Sequence, residues 1–182
     1  MIHRSHRGFT LVEMMATLAV ATTLIHTGIS SFQALLGNNR LTTQANLLMH
    51  SIVLVRSEAI KRNTRVTLAK TGEHWEEGWI GFVDGNANAR LDEGEELLVT
   101  QGALPGHLLL TGNRNVRDYI SYTNLGRSEK INGAFQAGRL MLCDRHADAS
   151  PEHARAIVIS STGRPRISRK KSDLRDCLKG RA

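Results

Sequence analysis

HRSHRGFTLVEMMATLAVATTLIHTGISSFQALL, residues 3–36, sets the architecture of the chain. A short basic head ends at Gly8, and an apolar run then starts at Phe9 and continues to Leu36 with one formal charge, Glu13. About 20 apolar residues span the hydrocarbon of a bilayer, so residues 9–36 are expected to cross one with tilt to spare. A secretory signal has a shorter apolar segment and is cut after it. Here the processing site lies before the run, so the helix is expected to stay with the mature chain. A carboxylate near the head of a spanning helix calls for a partner, and cleavage after Gly8 supplies one, the new ammonium of Phe9.

Gly8-Phe9-Thr10-Leu11-Val12-Glu13, with basic residues upstream, resembles the head of the type IV pilin family and its secretion-system relatives. The resemblance implies a leader at residues 1–8, cut off by a prepilin peptidase that N-methylates Phe9. It further implies that Glu13 neutralises the N-terminus of a neighbouring pilin subunit during filament assembly in the inner membrane.

Downstream, Leu41, Ala45, Leu48, Ile52, Val55 and Ala59 recur at steps of four and three, one face of an amphipathic helix over residues 37–62. Arg40, Thr43, Asn46, His50, Ser57 and Lys61 fall on the other faces. No proline interrupts Phe9–Asn63, and a continuous helix of that length would run about 80 Å. The polar residues Thr22, Thr23, His26, Thr27, Ser30 and Ser31 are unusual for a lipid-facing surface. His26 could carry a proton, but helix–helix packing is the reading preferred for this cluster.

From Thr64 the pattern shortens to strands, expected at 66–69, 78–83, 96–101, 107–111, 119–123, 139–143 and 155–161. No helical stretch between them is long enough for a parallel crossover, so the sheets should be antiparallel. The fold class is therefore α+β: a long N-terminal helix packed on one antiparallel sheet or two, as in pilins. The globular part spans 63–162, and a basic tail occupies 163–182. Trp75 and Trp79 bracket Glu76-Glu77-Gly78 and are expected to pack at a sheet edge.

The net charge of +7 is unevenly placed. Residues 163–182 hold eight basic side chains against two acidic ones, leaving +1 for the rest. Such asymmetry points to nucleic acid or an anionic surface. Cys143 and Cys177 match no zinc spacing. In an oxidising compartment they should pair, a loop closure worth roughly 3–4 kcal/mol; the alternative is two buried thiols.

Asp84, Asn86, Asn88, Asp92 and Glu95 occupy oxygen-ligand positions of a twelve-residue calcium loop. The glycine required at position six is Ala89, and strands flank the loop where helices belong. An Asx-rich hairpin turn is the preferred reading, and no metal or other cofactor is assigned. Catalytic spacings are missing too: no His-Glu-x-x-His, no Gly-x-Ser-x-Gly, and no cysteine beside a histidine. His146 and His153 flank a polar loop and are expected to be solvated.

Arg164-Pro165-Arg166 follows an apolar strand and a Ser161-Thr162-Gly163 turn. In an extended segment the two arginines project to one side, about 7 Å apart, a spacing suited to neighbouring phosphates. Arg169, Lys170 and Lys171 continue the basic stretch. This arrangement resembles the Gly-Arg-x-Arg element of FimT-type minor pilins of the GspH/FimT group. Residues 79–95 (WIGFVDGNANARLDEGE) and 157–166 (IVISSTGRPR) share that resemblance. It implies that Arg164, Arg166, Arg169, Lys170 and Lys171 bind double-stranded DNA during natural transformation. The alternative is a type II secretion pseudopilin, a filament subunit that contacts protein alone.

Overall fold

The computed structural model describes residues 8–145, 150–174 and 177; the side chains of 26–31, 33 and 34 also lie outside the described set. The basic head before Gly8, the role of His26, and His146 therefore fall outside it.

Helix α1 spans Leu11–Arg62. Thr10 caps it, its Oγ1 accepting the Glu13 backbone N–H at 3.3 Å. At the far end Asn63 turns left-handed (φ 53°). The Thr64 N–H reaches the Ala59 carbonyl and the Asn63 N–H that of Ile60, a Schellman stop built on asparagine.

The chain divides into two compact units, residues 1–37 and 38–182. In the first, Phe9, Leu11, Val12, Met14, Met15, Leu18, Val20, Leu24 and Ile25 are all exposed. The hydroxyls of Thr17, Thr22 and Thr23 donate to helix carbonyls three or four residues back, at 2.8–3.2 Å. Among the described residues, no helix is long and apolar enough to cross a membrane.

The second unit wraps two antiparallel sheets around the later half of α1. The strands are β1 Val66–Lys70, β2 Trp79–Val83, β3 Leu97–Gln101, β4 Leu108–Gly112, β5 Tyr119–Tyr122, β6 Gly138–Asp144, β7 Ala154–Ile159 and β8 Pro165–Ser168. One sheet has the order β3-β2-β1-β5 and the other β4-β6-β7-β8. The α+β, pilin-like class holds, with two sheets. The predicted helix face is fully buried: Leu41, Ala45, Leu48, Ile52, Val55 and Ala59 are at most 3% exposed. They join Val66, Leu68, Leu140, Leu142, Ile157 and Ile159 in one core. Gly81 lets helix and sheet close in, since a Cβ there would sit 2.8 Å from Val55 and 2.7 Å from Val99.

Two expectations need correction. Trp75 and Trp79 are core residues, at most 1% exposed, not edge residues. Each indole N–H finds an acceptor: Trp79 donates to the buried Ser51 Oγ at 3.0 Å, and Trp75 to the carbonyls of buried Val116 at 3.1 Å and of Arg117 at 2.8 Å. That pairing is what permits their burial. The basic stretch, moreover, is not a tail from residue 163. Its first part is β8, an edge strand paired with β7 from Ala156↔Ser168 to Ile159↔Pro165. Pro165 is tolerated there because an edge strand leaves some N–H positions unpaired.

Candidate nucleic-acid interface

Strands β7 and β8 form a hairpin whose tip carries Gly163 and Arg164. The Ser160 N–H donates to the Arg164 carbonyl at 3.1 Å, and the Gly163 N–H to the Ser160 carbonyl at 2.9 Å. Gly163 adopts φ +79°, a conformation that glycine takes without the steric penalty other residues meet. Its carbonyl accepts the hydroxyl of buried Tyr122 at 3.0 Å. Burial pushes that phenol above its ordinary value, so it remains a proton donor. The tip is thus bolted to β5.

The five basic residues expected to act together are all exposed, but they occupy different places. Arg164 stands at the hairpin tip. Arg166 lies within β8 and pairs with Asp173 at 3.3 Å. Asp173 also accepts the Ser168 hydroxyl at 2.6 Å. The Ser168 hydroxyl first, and Arg166 after it, hold its carboxyl below the usual range against the opposing effect of burial. Arg169, Lys170 and Lys171 follow the strand's end. At about 3.3 Å per residue, Arg169 is roughly 17 Å from Arg164 along the strand. The cations form a line down the sheet edge rather than one cluster.

A neighbouring cation shows which way this edge runs. Arg155, on β7, is 1% exposed. Its guanidinium donates to Asn38 and Thr42 on α1 and to the carbonyls of Glu152 and Ala154. Burial first, and Arg169 second, push its pKa down. The Arg169 end of β8 therefore lies near the start of the unit's helix. The tip lies near Arg56 and Ile60, about 27 Å further along α1.

Beyond β8 the chain crosses the outer face of the second sheet. Leu174 is fully buried against Met141, Cys143, Ala154 and Ala156. The Cys143–Cys177 disulfide is formed, with Cα atoms 6.1 Å apart. Arg139 adds a contact to the Ser172 carbonyl at 3.4 Å. The segment is docked, not loose.

The Asp84–Glu95 loop joins β2 to β3, and its oxygens are taken by its own donors. Asp84 accepts the backbone N–H groups of Asn88 and Ala89 and the Thr67 hydroxyl, at 2.7–3.1 Å. Glu95 accepts from Gly85 and Asp92 at 2.9 and 3.0 Å. Asn86 and Asn88 both turn their amide N–H groups on Asp92, which lowers its pKa. Ala89 takes the position-six turn at φ 58° in place of glycine. Among the described residues, no group of three acidic, histidine or cysteine side chains could hold a metal. The geometry is that of an Asx-rich hairpin turn.

Sequence reasoning passed over Arg127, an exposed cation beside the tip: a Cβ on Gly163 would meet Ser128 N at 2.8 Å. The signal was available, as Thr123-x-x-Gly-Arg127 repeats Ser160-x-x-Gly-Arg164.

Comparison with known proteins agrees with this architecture. Residues 44–163 match the family described as Type II transport protein GspH, and residues 3–28 match the prokaryotic N-terminal methylation motif. The pilin-like protein PilA1 of Thermus thermophilus is 37% identical over 98 residues, 53% of this chain and 60% of that protein. The chain thus spans about 60% of the length of that relative. Crystal structures of the type IV minor pilin FimU of Pseudomonas aeruginosa share the fold. One has TM-score 0.55 and 18% identity over 71% of this chain and 89% of its own. A second crystal form gives 0.53 and 16% over 70% and 91%. Helix, paired sheets and matched head together make this chain a type IV pilin-like protein of the GspH/FimT group, a member of the GspH family.

Proposed function

We propose that this protein is a minor type IV pilin that captures double-stranded DNA for natural transformation. In this reading residues 1–8 are a leader cut by prepilin peptidase, and Phe9 becomes the N-methylated first residue. Residues 9–36, although no described helix is apolar enough to cross a membrane by hydropathy, hold the chain at the inner membrane and later pack in the filament beside other pilin subunits. Glu13 pairs with a neighbour's N-terminus. Support for the anchor comes from the exposed apolar side chains of residues 9–25 and from threonine hydroxyls already satisfied by helix carbonyls, which removes their need for water.

The observation that carries the DNA reading is Arg164, exposed on a hairpin tip held by Tyr122 and ahead of an edge strand with further cations. Arginines on such a segment reach phosphates without reading bases, and among the described residues nothing resembles a recognition helix. One finding favours a second reading: the matched family is described as a type II transport protein, which suits a secretion pseudopilin that contacts protein alone. Intact-mass analysis and sheared-filament blots test the shared part. A methylated chain starting at Phe9, with Glu13→Ala lost from filaments, is expected; any other start contradicts it. Duplex DNA retained by the wild type and released by Arg164→Gln with Arg166→Gln separates pilin from pseudopilin.

A further inference from the structure

The hairpin tip at Ser160–Arg164 has a twin. In the turn Thr123–Arg127 the Gly126 N–H donates to the Thr123 carbonyl at 2.8 Å, and the Thr123 N–H to the Arg127 carbonyl at 2.9 Å. Gly163 with Ser160, and Ser160 with Arg164, make the same two bonds at 2.9 and 3.1 Å. Both are three-residue hairpin loops ending in a left-handed glycine, Gly126 at φ +68° and Gly163 at φ +79°. In each the next residue is an exposed arginine.

The two turns touch through the glycines. A Cβ on Gly163 would stand 2.6 Å from the Gly126 carbonyl oxygen and 2.8 Å from the Ser128 nitrogen, both rigid backbone. Each turn is also braced from beneath. Arg56 Nε donates to the Gly126 carbonyl at 2.9 Å, and the Tyr122 hydroxyl to that of Gly163 at 3.0 Å. Neither Arg127 nor Arg164 makes an ion pair among the described residues.

We propose that these turns form one composite site for the phosphate backbone of duplex DNA, in which Arg127 and Arg164 bind neighbouring phosphates and Gly163 sets their spacing. The inference rests on the DNA-binding reading above and extends it to a residue far away in sequence. Arg56 and Tyr122 are positioning residues that fix the turns. DNA is favoured over lipid phosphate because two arginines on touching, rigid turns suit phosphates repeated at a fixed spacing along a backbone.

The test uses the full chain in detergent, fluorescent duplex DNA, a salt series, and phosphatidylglycerol vesicles as a separate arm. Arg127→Gln is expected to lower the magnitude of the log K–log salt slope by about one, as Arg164→Gln does, and the pair by about two. Between about 50 and 200 mM salt each lost contact makes the fall in affinity roughly 3.5-fold shallower. Gly163→Ala keeps every charge yet should weaken binding, with disulfide formation and circular dichroism reporting its fold. Arg127 is exposed, so its variant tests the idea even if Gly163→Ala misfolds. Wild-type binding by Arg127→Gln beside weakened Arg164→Gln overturns the composite site and leaves DNA binding standing. Unchanged binding by all variants overturns both. Loss confined to the vesicles overturns the DNA assignment and gives the site to membrane.

Discussion

Replacing Cys143 and Cys177 together by alanine removes the staple that holds the C-terminal segment across the second sheet. The bond closes a separation of 34 residues, enclosing the β7–β8 hairpin. In the chain-entropy treatment a loop of that size restricts the unfolded chain by about 4 kcal/mol. Leu174 stays buried on its own apolar contacts, so the variant should still fold, with its loss set mainly by the unfolded state. For a unit of roughly 150 residues each kcal/mol moves Tm by about 2–4 °C, giving a fall of about 8–16 °C. Calorimetry on wild type, reduced wild type and double variant reads this directly. Reduced wild type and variant should coincide. A Tm within about 2 °C of the oxidised protein would refute the staple's role, since a loop of this size cannot be closed so cheaply.

Ser51→Ala leaves the buried Trp79 indole N–H without its acceptor and should cost about 1–3 kcal/mol in urea unfolding; a loss below about 0.5 kcal/mol would contradict that account. Ala89→Gly relieves a left-handed alanine and should stabilise by roughly 0.5 kcal/mol, the left-handed penalty less glycine's unfolded-state entropy, so a destabilised variant argues against strain in the loop. The carboxyls of Asp173, bonded by Ser168, and Asp118, bonded by Lys70, are held below their usual range. Their stabilising contribution is present above about pH 4 and is lost as pH falls through their lower folded values. Urea midpoints at about pH 6 and about pH 2.5 should show a smaller acid loss in Asp173→Asn; an identical loss would remove Asp173 from the account.

Much of the fold was legible because two periodicities carry it. Steps of four and three put six helix residues on one face, and that face is the one buried in the core. Short β-branched runs between turn residues located seven strands and left only the eighth unread. β8 was hidden by its charge: the stretch from residue 163 was expected to be a basic tail, yet an edge strand can expose charged side chains such as Arg166 and still pair its backbone. The tryptophans failed for the opposite reason. Their acceptors, Ser51 and the Arg117 carbonyl, are distant in sequence, so local composition could not foretell their burial. Arg155 was equally opaque, a buried cation whose terminal nitrogens bond to carbonyls, Asn38 and Thr42 in place of a carboxylate. Of the candidate site, the Gly-Arg-x-Arg element was visible and the matching turn at Thr123–Arg127 was legible as a repeat, but the contact between Gly126 and Gly163 is made only by folding.

The central claim is that this pilin-like protein holds duplex DNA by its hairpin cations. Its most direct test is the salt dependence of duplex binding by the full chain, wild type beside Arg164→Gln with Arg166→Gln. About three or four phosphate contacts predict a log K–log salt slope near −3, equal on unrelated sequences, and the double variant should lose roughly two from its magnitude. Superimposable curves, or no wild-type binding at moderate salt, would contradict the claim and leave a filament subunit that contacts protein alone.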